Sequence, residues 1–159
     1  MKTALPLADR AAFPAEGFVE GLWQQDVAEF FVADRRTGHY QEFNLGPGGA
    51  WWSATFCAPR LRVVPQPEWQ SFGVLAEVLW TNEEWIGQLS VPLPVGIPPL
   101  SPPSHRSGAE RLMQELESGQ LAVNFTAITA GRAGPRFYSL AHLRTATPDF
   151  HRPADWIAL

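Results

Sequence analysis

Three short segments rich in strand-forming residues, separated by two turns, occupy the stretch from residue 26 to residue 57. The segments read DVAEFFVA, HYQEFNL and AWWSATFC, and the turns between them read DRRTG and GPGG. Aspartate, threonine and glycine suit tight turns, whereas β-branched and aromatic residues favour strands. The stretch therefore predicts an antiparallel meander of three strands, which restricts the chain to folds built on a sheet.

Four further strands are predicted in two pairs, SFGVLAEVLW with WIGQLSVPL and QLAVNFTAI with PRFYSLAHL, around the turns TNEE and TAGRAG. One short helix is expected near 108–118, because Ser107 and Glu110 fit a capping box and Gly119 suits a helix end. The 159 residues have the size of one domain and show no linker. We predict a single all-β domain over residues 1–159, an antiparallel two-sheet β-sandwich of the jelly-roll kind.

Alternation along the strands separates apolar from polar side chains, because neighbours in a strand point to opposite faces. Trp52 is in step with Ala54 and Phe56, so it is predicted to lie in the core. Trp51 is in step with Ser53 and Thr55, so it is predicted to be free to meet a ligand or a partner, and its removal to spare the fold.

The polar sides of the predicted strands collect amides, hydroxyls, a carboxylate and aromatics: Tyr40, Glu42, Asn44, Trp51, Ser53, Thr55, Gln88, Ser90, Asn124 and Thr126. Planar polar groups beside an exposed indole suit a sugar, whose hydroxyls form hydrogen bonds while its C–H face stacks on the ring. The competing interpretation is an ordinary solvated face of a sandwich, with Trp51 partly covered by a loop.

Two blocks of motifs resemble bacterial DOMON-like domains, which are related to family 9 carbohydrate-binding modules. The first block carries Leu22, Trp23, Asp26, Glu29, Phe31, Tyr40, Glu42, Phe43, Asn44, Pro47, Gly49 and Trp52. The second is the tail motif formed by Pro148, Phe150, His151 and Pro153. The resemblance implies a β-sandwich used for binding rather than catalysis, in which paired aromatics clamp a sugar ring and polar side chains hold its hydroxyls.

The resemblance carries the tryptophan and the acidic residue of the first motif over to Trp23 and Glu29, and it implies a second clamp aromatic at Phe137 or Tyr138. Together with the polar strand faces, it gives the candidate ligand-binding set Trp23, Glu29, Glu42, Asn44, Trp51, Asn124 and Tyr138. The predicted ligand is a small saccharide or a similar polar molecule.

Catalytic residues, metal ligands and cofactors are not predicted. The four histidines lack the spacing of zinc sites, and no nucleophile elbow is present. His151 is expected to make a structural hydrogen bond. Glu29 and Glu42 on neighbouring strands are similar to the paired carboxylates of glycosidases, but they belong to motifs of a non-catalytic family.

The formal net charge of −4 and the absence of a long basic run argue against nucleic-acid binding. No apolar run is long enough for a membrane span, the N-terminus is a poor signal peptide, and Cys57 is the single cysteine. A cytoplasmic location is therefore expected. The sugar-binding hypothesis has two alternatives. One is a structural or interaction module that has lost the sugar site and covers an open sheet edge with a second subunit. The other is a haem-binding DOMON domain, for which Met113 on the predicted helix is the internal methionine.

Overall fold

A computed structural model describes residues 12–68, 73–81, 84–91, 118–131 and 134–159. These residues are mostly in strands, with two short 3₁₀ helices at Leu22–Gln24 and Pro153–Asp155. The strands are β1 (Gly17–Phe18), β2 (Val27–Asp34), β3 (Tyr40–Leu45), β4 (Ala50–Ala58), β5 (Leu61–Arg62), β6 (Leu75–Trp80), β7 (Trp85–Ser90), β8 (Leu121–Gly131), β9 (Gly134–Ser139) and β10 (Ile157–Ala158). The helix predicted near 108–118 falls outside the described residues, apart from Ser118, which lies in a turn. No helix among the described residues is long and apolar enough to cross a membrane.

The predicted meander is confirmed as the centre of a large sheet. Strands β4, β3, β2 and β8 lie side by side with antiparallel pairing throughout. β1 and β5 pair with β4 at one side, and β9 and β10 pair with β8 at the other. β1 runs parallel to β4, so the sheet is mixed rather than wholly antiparallel. The predicted hairpin of β6 and β7 forms a second, two-stranded sheet.

The register of the large sheet decides which side chains share a face. Glu42 pairs with Ala54, and Asn44 pairs with both Trp52 and Glu29. Directly paired residues point to the same side of a sheet. The face defined by Glu29, Glu42 and Trp52, called here the carboxyl face, is therefore opposite the face that carries Trp51, called here the Trp51 face. Glu42 and Asn44, which share the candidate ligand-binding set with Trp51, therefore lie on the opposite face from it. Alternation within one strand does not reveal its alignment with the next.

Much of the carboxyl face forms the main core, and the C-terminal tail packs on it. Tyr40 is fully buried and stacks on Phe56, with ring centroids 4.7 Å apart and planes 3° from parallel. Phe150 and Trp156 of the tail are buried in the same cluster, and the Trp156 indole N–H donates to the carbonyl oxygen of Phe150 at 3.0 Å. Trp52 is also buried in this cluster, which confirms its prediction as a core residue.

On the Trp51 face, the small sheet of β6 and β7 covers Trp51. The Trp51 side chain is only 6% exposed and packs beside Leu45 against apolar residues of the small sheet: Val74, Ala76, Val78, Trp85 and Leu89. The two sheets approach so closely that a Cβ on Gly87 would lie 2.6 Å from a methyl carbon of Leu45. The prediction that Trp51 is free to meet a ligand is therefore wrong, because contacts with the small sheet and with Phe18 of β1 bury it. Ser53 and Thr55 are buried too, so this part of the sheet is not an ordinary solvated face.

The outer edge of β4 is covered by the chain itself. β1 pairs with its first residues and β5 with its last. Between them, the Gln66 side chain accepts a hydrogen bond from the Thr55 N–H at 2.9 Å and donates one to the Thr55 carbonyl at 2.8 Å. The Thr55 carbonyl also accepts from the N–H of Val63, just after β5, at 2.9 Å. The Gln66 amide thus satisfies the Thr55 N–H and shares the Thr55 carbonyl with the chain that follows β5. A second subunit is not needed to cover this edge.

Replacing Trp51 with alanine should destabilise the protein by about 3–5 kcal/mol, because it opens a large cavity between the sheets. Urea unfolding of the Trp51→Ala variant measures this cost. Leu79→Ala is the matched control on the solvent side of the small sheet, where the side chain is exposed, and it should change stability by less than about 0.5 kcal/mol. Equal costs for the two variants would contradict the packing of the sheets.

Candidate functional site

A cleft of about 370 Å³ opens on the carboxyl face. It lies between the Leu22–Gln24 3₁₀ helix, the turn between β4 and β5, and the C-terminal tail. Its lining combines two carboxyl groups, two guanidinium groups, one imidazole and several aromatic rings: Trp23, Glu29, Glu42, Trp52, Phe56, Arg60, Arg62, Ile128, Phe137, Pro148, Phe150 and His151. A mostly apolar wall with a few polar groups is the usual form of a small-molecule site.

Glu29 and Glu42 are the acidic groups of the cleft, and they stand on the central strands β2 and β3. Glu29 pairs with Asn44, two residues beyond Glu42, so the two glutamates are diagonal neighbours on one face. Thr126, opposite Glu29 on β8, donates to Glu29 Oε2 at 2.6 Å. Asn44 donates from Nδ2 to Glu42 Oε1 at 3.0 Å. Each carboxyl group is therefore oriented by a neighbour on the same face of the sheet.

Burial makes both carboxyl groups weak acids. Only 4% of Glu29 and 3% of Glu42 is exposed. Loss of hydration raises the pKa of Glu29 to about 7 and that of Glu42 to about 8, and the charge of Glu29 adds to the rise at Glu42. Near neutral pH the pair therefore retains protons that exposed glutamates would have lost.

One wall of the cleft is a pair of tryptophans with an arginine over it. Trp23 and Trp52 meet edge to face, with ring centroids 5.0 Å apart. The Arg62 guanidinium carbon lies 4.8 Å from the Trp52 centroid and 5.9 Å from that of Trp23. Its Nη1 is 2.6 Å from Glu20 Oε1. Arg62 is thus held by a cation–π contact on one side and an ion pair on the other.

The tail supplies the facing wall through Phe150 and His151, and Phe137 of β9 joins it. The rings of Phe137 and Phe150 are 6.2 Å apart, and Phe137 is 44% exposed. Phe137 therefore offers the cleft an aromatic surface that the described residues leave partly exposed, and it matches one of the two expected positions for a second clamp aromatic.

His151 is fixed by hydrogen bonding to Tyr40, which confirms the structural hydrogen bond expected from the sequence. The Arg60 N–H donates to the Tyr40 hydroxyl at 3.0 Å, and the hydroxyl lies 2.7 Å from His151 Nδ1. Nδ1 is the acceptor that the described residues offer to the hydroxyl proton, and a neutral ring that accepts at Nδ1 carries its own proton on Nε2. Burial, followed by the charge of Arg60, lowers the pKa of His151 to about 4, so the ring is neutral near pH 7. Its Nε2 lies 3.8 Å from Glu42 Oε2.

Three of the seven predicted ligand-binding residues, Trp23, Glu29 and Glu42, line the same cleft. Asn44 lies on the same face but is fully buried, and it positions Glu42. Asn124 is also on this face. It bonds to Ser139 and to the N–H of Ala141, away from the cleft lining.

The other two predicted residues lie on the opposite side of the sheet. Trp51 is covered by the small sheet. Tyr138 pairs with Ala127, which lies on the Trp51 face, and is 38% exposed there. The structure therefore does not bring these two side chains to the cleft.

Sequence reasoning missed the two arginines. Arg60 and Arg62 belong to the segment APRLR, which reads as a proline-broken connection, yet Arg62 lies in the two-residue strand β5. Arg60 adopts a left-handed backbone conformation with φ of 61°, uncommon outside glycine, which makes the turn that directs its N–H to Tyr40. The sequence did contain a signal for them. Arg60 and Arg62 are two residues apart just after a predicted strand, a spacing that would put both side chains on one side of an extended segment.

No group of three or more histidine, cysteine, aspartate or glutamate side chains within the described ranges is arranged to hold a metal ion. Met113, on which the haem hypothesis depends, lies outside those ranges, so that hypothesis stays a prediction.

Comparison with known proteins gives a likeness of fold. No family model matches the sequence, and no curated protein matches it. The chain is similar to the crystal structure of "a putative carbohydrate-binding protein" from Bacteroides uniformis, with a TM-score of 0.62 and 19% sequence identity. The match covers 91% of this chain and 64% of that chain, so the chain spans less than two thirds of its neighbour's length. A TM-score of this size at such low identity shows a shared fold.

The raised pKa values predict that the folded protein loses stability as the pH rises from about 6.5 to about 8. Above pH 6.5, His151 is neutral in both the folded and the unfolded chain, because its pKa is about 6.5 or lower in both. The two glutamates, with pKa values of about 7 and 8 when folded and 4.5 when unfolded, then bind protons only in the folded state. The free energy of unfolding should fall by about 1.4 kcal/mol per pH unit for each carboxyl group that is still protonated.

Urea unfolding across this pH range measures the slope. Glu42→Gln removes one of the titrating groups and should flatten it, whereas Glu77→Gln, at an exposed position of β6, should leave it unchanged. A wild-type stability that does not vary between these pH values would show that the two carboxyl groups ionise normally.

Proposed function

We propose that this protein is a non-catalytic binding module that holds a small saccharide, or a similar polar ligand, in the cleft of the carboxyl face. The observation that carries the proposal is the position of Glu29 and Glu42 between aromatic walls. Carboxyl groups bind sugar hydroxyls, and aromatic faces bind the C–H face of a sugar ring. The cleft would therefore match a sugar in its hydrogen-bonding groups and in its aromatic surfaces.

Trp23 and Phe137 are the aromatic residues best placed to meet the ligand. Trp23 is half-buried, and Phe137 is more exposed, whereas Trp52 is buried beneath them and partly covered by Arg62. A sugar ring would therefore lie against the accessible part of Trp23 or against Phe137. Trp52 would support Trp23 from below.

The fold supports this proposal. Two sheets pack through a buried cluster around Trp51, and the chain has the fold of a protein described as carbohydrate-binding. We propose that the whole chain is one sandwich domain of the DOMON-like type, and that its cleft corresponds to the use of such domains in binding.

We place binding ahead of glycoside hydrolysis because the motif blocks resemble domains used for binding, and because the neighbour of the same fold is described as "a putative carbohydrate-binding protein". Glu29 and Glu42 are diagonal neighbours on adjacent strands, and each accepts a hydrogen bond from a residue of the same sheet.

A second candidate function is an interaction module that pairs through β9 with a second copy of the chain. Among the described strands, β9 pairs only with β8, which leaves its other edge open for strand addition. Size-exclusion chromatography with light scattering tests this idea. The N–H of Phe137 points to this open edge, because the neighbouring residues of β9 are the ones that bond to β8. A dimer that Phe137→Pro separates into folded monomers would support the idea, and a monomer at high concentration would contradict it.

Calorimetric titration with monosaccharides and disaccharides tests the binding proposal. The wild type should bind at least one of them. Glu42→Gln should weaken binding about tenfold or more because it replaces one acceptor oxygen by an amide donor, and Trp23→Ala should do so because it removes a stacking surface. Glu77→Gln is the matched control for the carboxyl substitution and should bind as the wild type does.

Circular dichroism of each variant separates loss of binding from loss of folding, which matters for Trp23 because it contacts Trp52. A folded wild-type protein that binds no saccharide at millimolar concentration would overturn the proposal.

A further inference from the structure

With both carboxyl groups ionised, the floor of the cleft has more hydrogen-bond acceptors than donors. The two groups then offer four acceptor oxygen atoms, and Thr126 and Asn44 each donate one hydrogen bond to them. Asn44 donates from Nδ2 to Glu42, and its Oδ1 has no hydrogen-bond partner among the described residues, although the side chain is fully buried. Such a surplus of acceptors is satisfied by a ligand group that only donates.

The charges around the cleft are also unbalanced. Arg60 pairs with Asp149 at 2.9 Å, and Arg62 pairs with Glu20 at 2.6 Å. Each arginine is therefore neutralised by a carboxylate that does not line the cleft, although both still lower the pKa of Glu42 somewhat from a distance.

The remaining basic group that faces the acidic pair is His151. Its ring is neutral near pH 7, and its Nε2 lies 3.8 Å from Glu42, beyond hydrogen-bonding distance. Glu29 and Glu42 thus have no cationic hydrogen-bond partner within the described residues. When both are ionised, the cleft carries an excess of negative charge.

We propose that the saccharide held by this cleft carries a protonated amine, and that the ammonium group lies between Glu29 and Glu42. This inference rests on the proposed function and names the class of sugar. An ammonium group has three donors and no acceptor, which matches the acceptor surplus. Diagonal neighbours on adjacent strands have Cβ atoms about 7–8 Å apart, close enough for one ammonium group to reach both carboxyl groups. The hydrogen bonds would be charge-assisted, and they are the stronger kind.

Binding of an amine should release protons. The empty cleft holds protons on Glu29 and Glu42 near neutral pH, because their pKa values are about 7 and 8. An ammonium ion favours the ionised carboxylates, so the protons leave as it binds. Affinity should therefore rise with pH between about 6 and about 7, as long as the amine stays protonated.

Calorimetric titration at about pH 7 with D-glucosamine, N-acetyl-D-glucosamine and D-glucose tests the inference. Acetylation removes the charge of the amine, and glucose replaces the amine with a hydroxyl group. We expect glucosamine to bind about tenfold or more tightly than either neutral sugar. Repeating the titration in buffers of different ionisation enthalpy measures the protons released, a readout that needs no variant.

Variants then assign the effect to the two glutamates. Glu29→Gln and Glu42→Gln should each remove most of the preference for glucosamine and reduce the proton release, while Glu77→Gln should keep both. Equal affinity for glucosamine and glucose, with no proton release, would overturn the inference and leave the proposed function standing.

Cyclohexylamine, which has a ring and a charge but no sugar hydroxyls, separates the two proposals. Binding as tight as that of glucosamine would support the cation site and overturn the saccharide assignment. If none of the three sugars nor cyclohexylamine binds to the folded protein, both proposals fail.

Discussion

The Tyr40 side chain joins the sheet to two of the parts that border the cleft, the turn after β4 and the C-terminal tail. Its ring is fully buried on a central strand and stacks on Phe56. Its hydroxyl connects the backbone of Arg60, in the turn after β4, with His151 of the tail, which lies 111 residues beyond Tyr40 in the chain. Because a buried hydroxyl must be hydrogen-bonded, this one group fixes both the turn and the tail against the sheet. The walls of the cleft therefore depend on an interaction beneath them.

The same burial that stabilises the sheet raises the pKa values of the two carboxyl groups in the cleft. A charged carboxylate is expensive to bury, and Glu29 and Glu42 respond by holding protons at higher pH than exposed glutamates do. Replacing them with apolar residues would remove this cost, but it would also remove the polar groups of the cleft. Strongly shifted carboxyl groups in a cleft are typical of functional sites, where stability is lower than it could be.

Local patterns predicted the strands of this fold, and contacts between distant segments decided the rest. The meander was predictable because its turns carry their own chemistry, as in DRRTG. The face of each side chain was not predictable, because register is a property of strand pairs. Glu42 lies opposite Ala54, so a residue from the predicted polar side of β3 shares a face with the predicted apolar side of β4. Trp51 was misassigned because the small sheet that buries it lies more than twenty residues away in sequence. Trp23 and Glu29 were found through motif resemblance, whereas Arg62 lies in a strand too short to show a period.

The amide of Gln66 closes the edge of β4 where no strand reaches Thr55. Unpaired backbone groups at a sheet edge recruit strands from other molecules, and proteins prevent this with charges, bulges or covering segments. Here one neutral side chain provides that protection at little cost in packing, because it occupies no core position. Replacing Gln66 would therefore leave the N–H of Thr55 open to pairing with a strand of another molecule, so this position bears on aggregation as well as on folding.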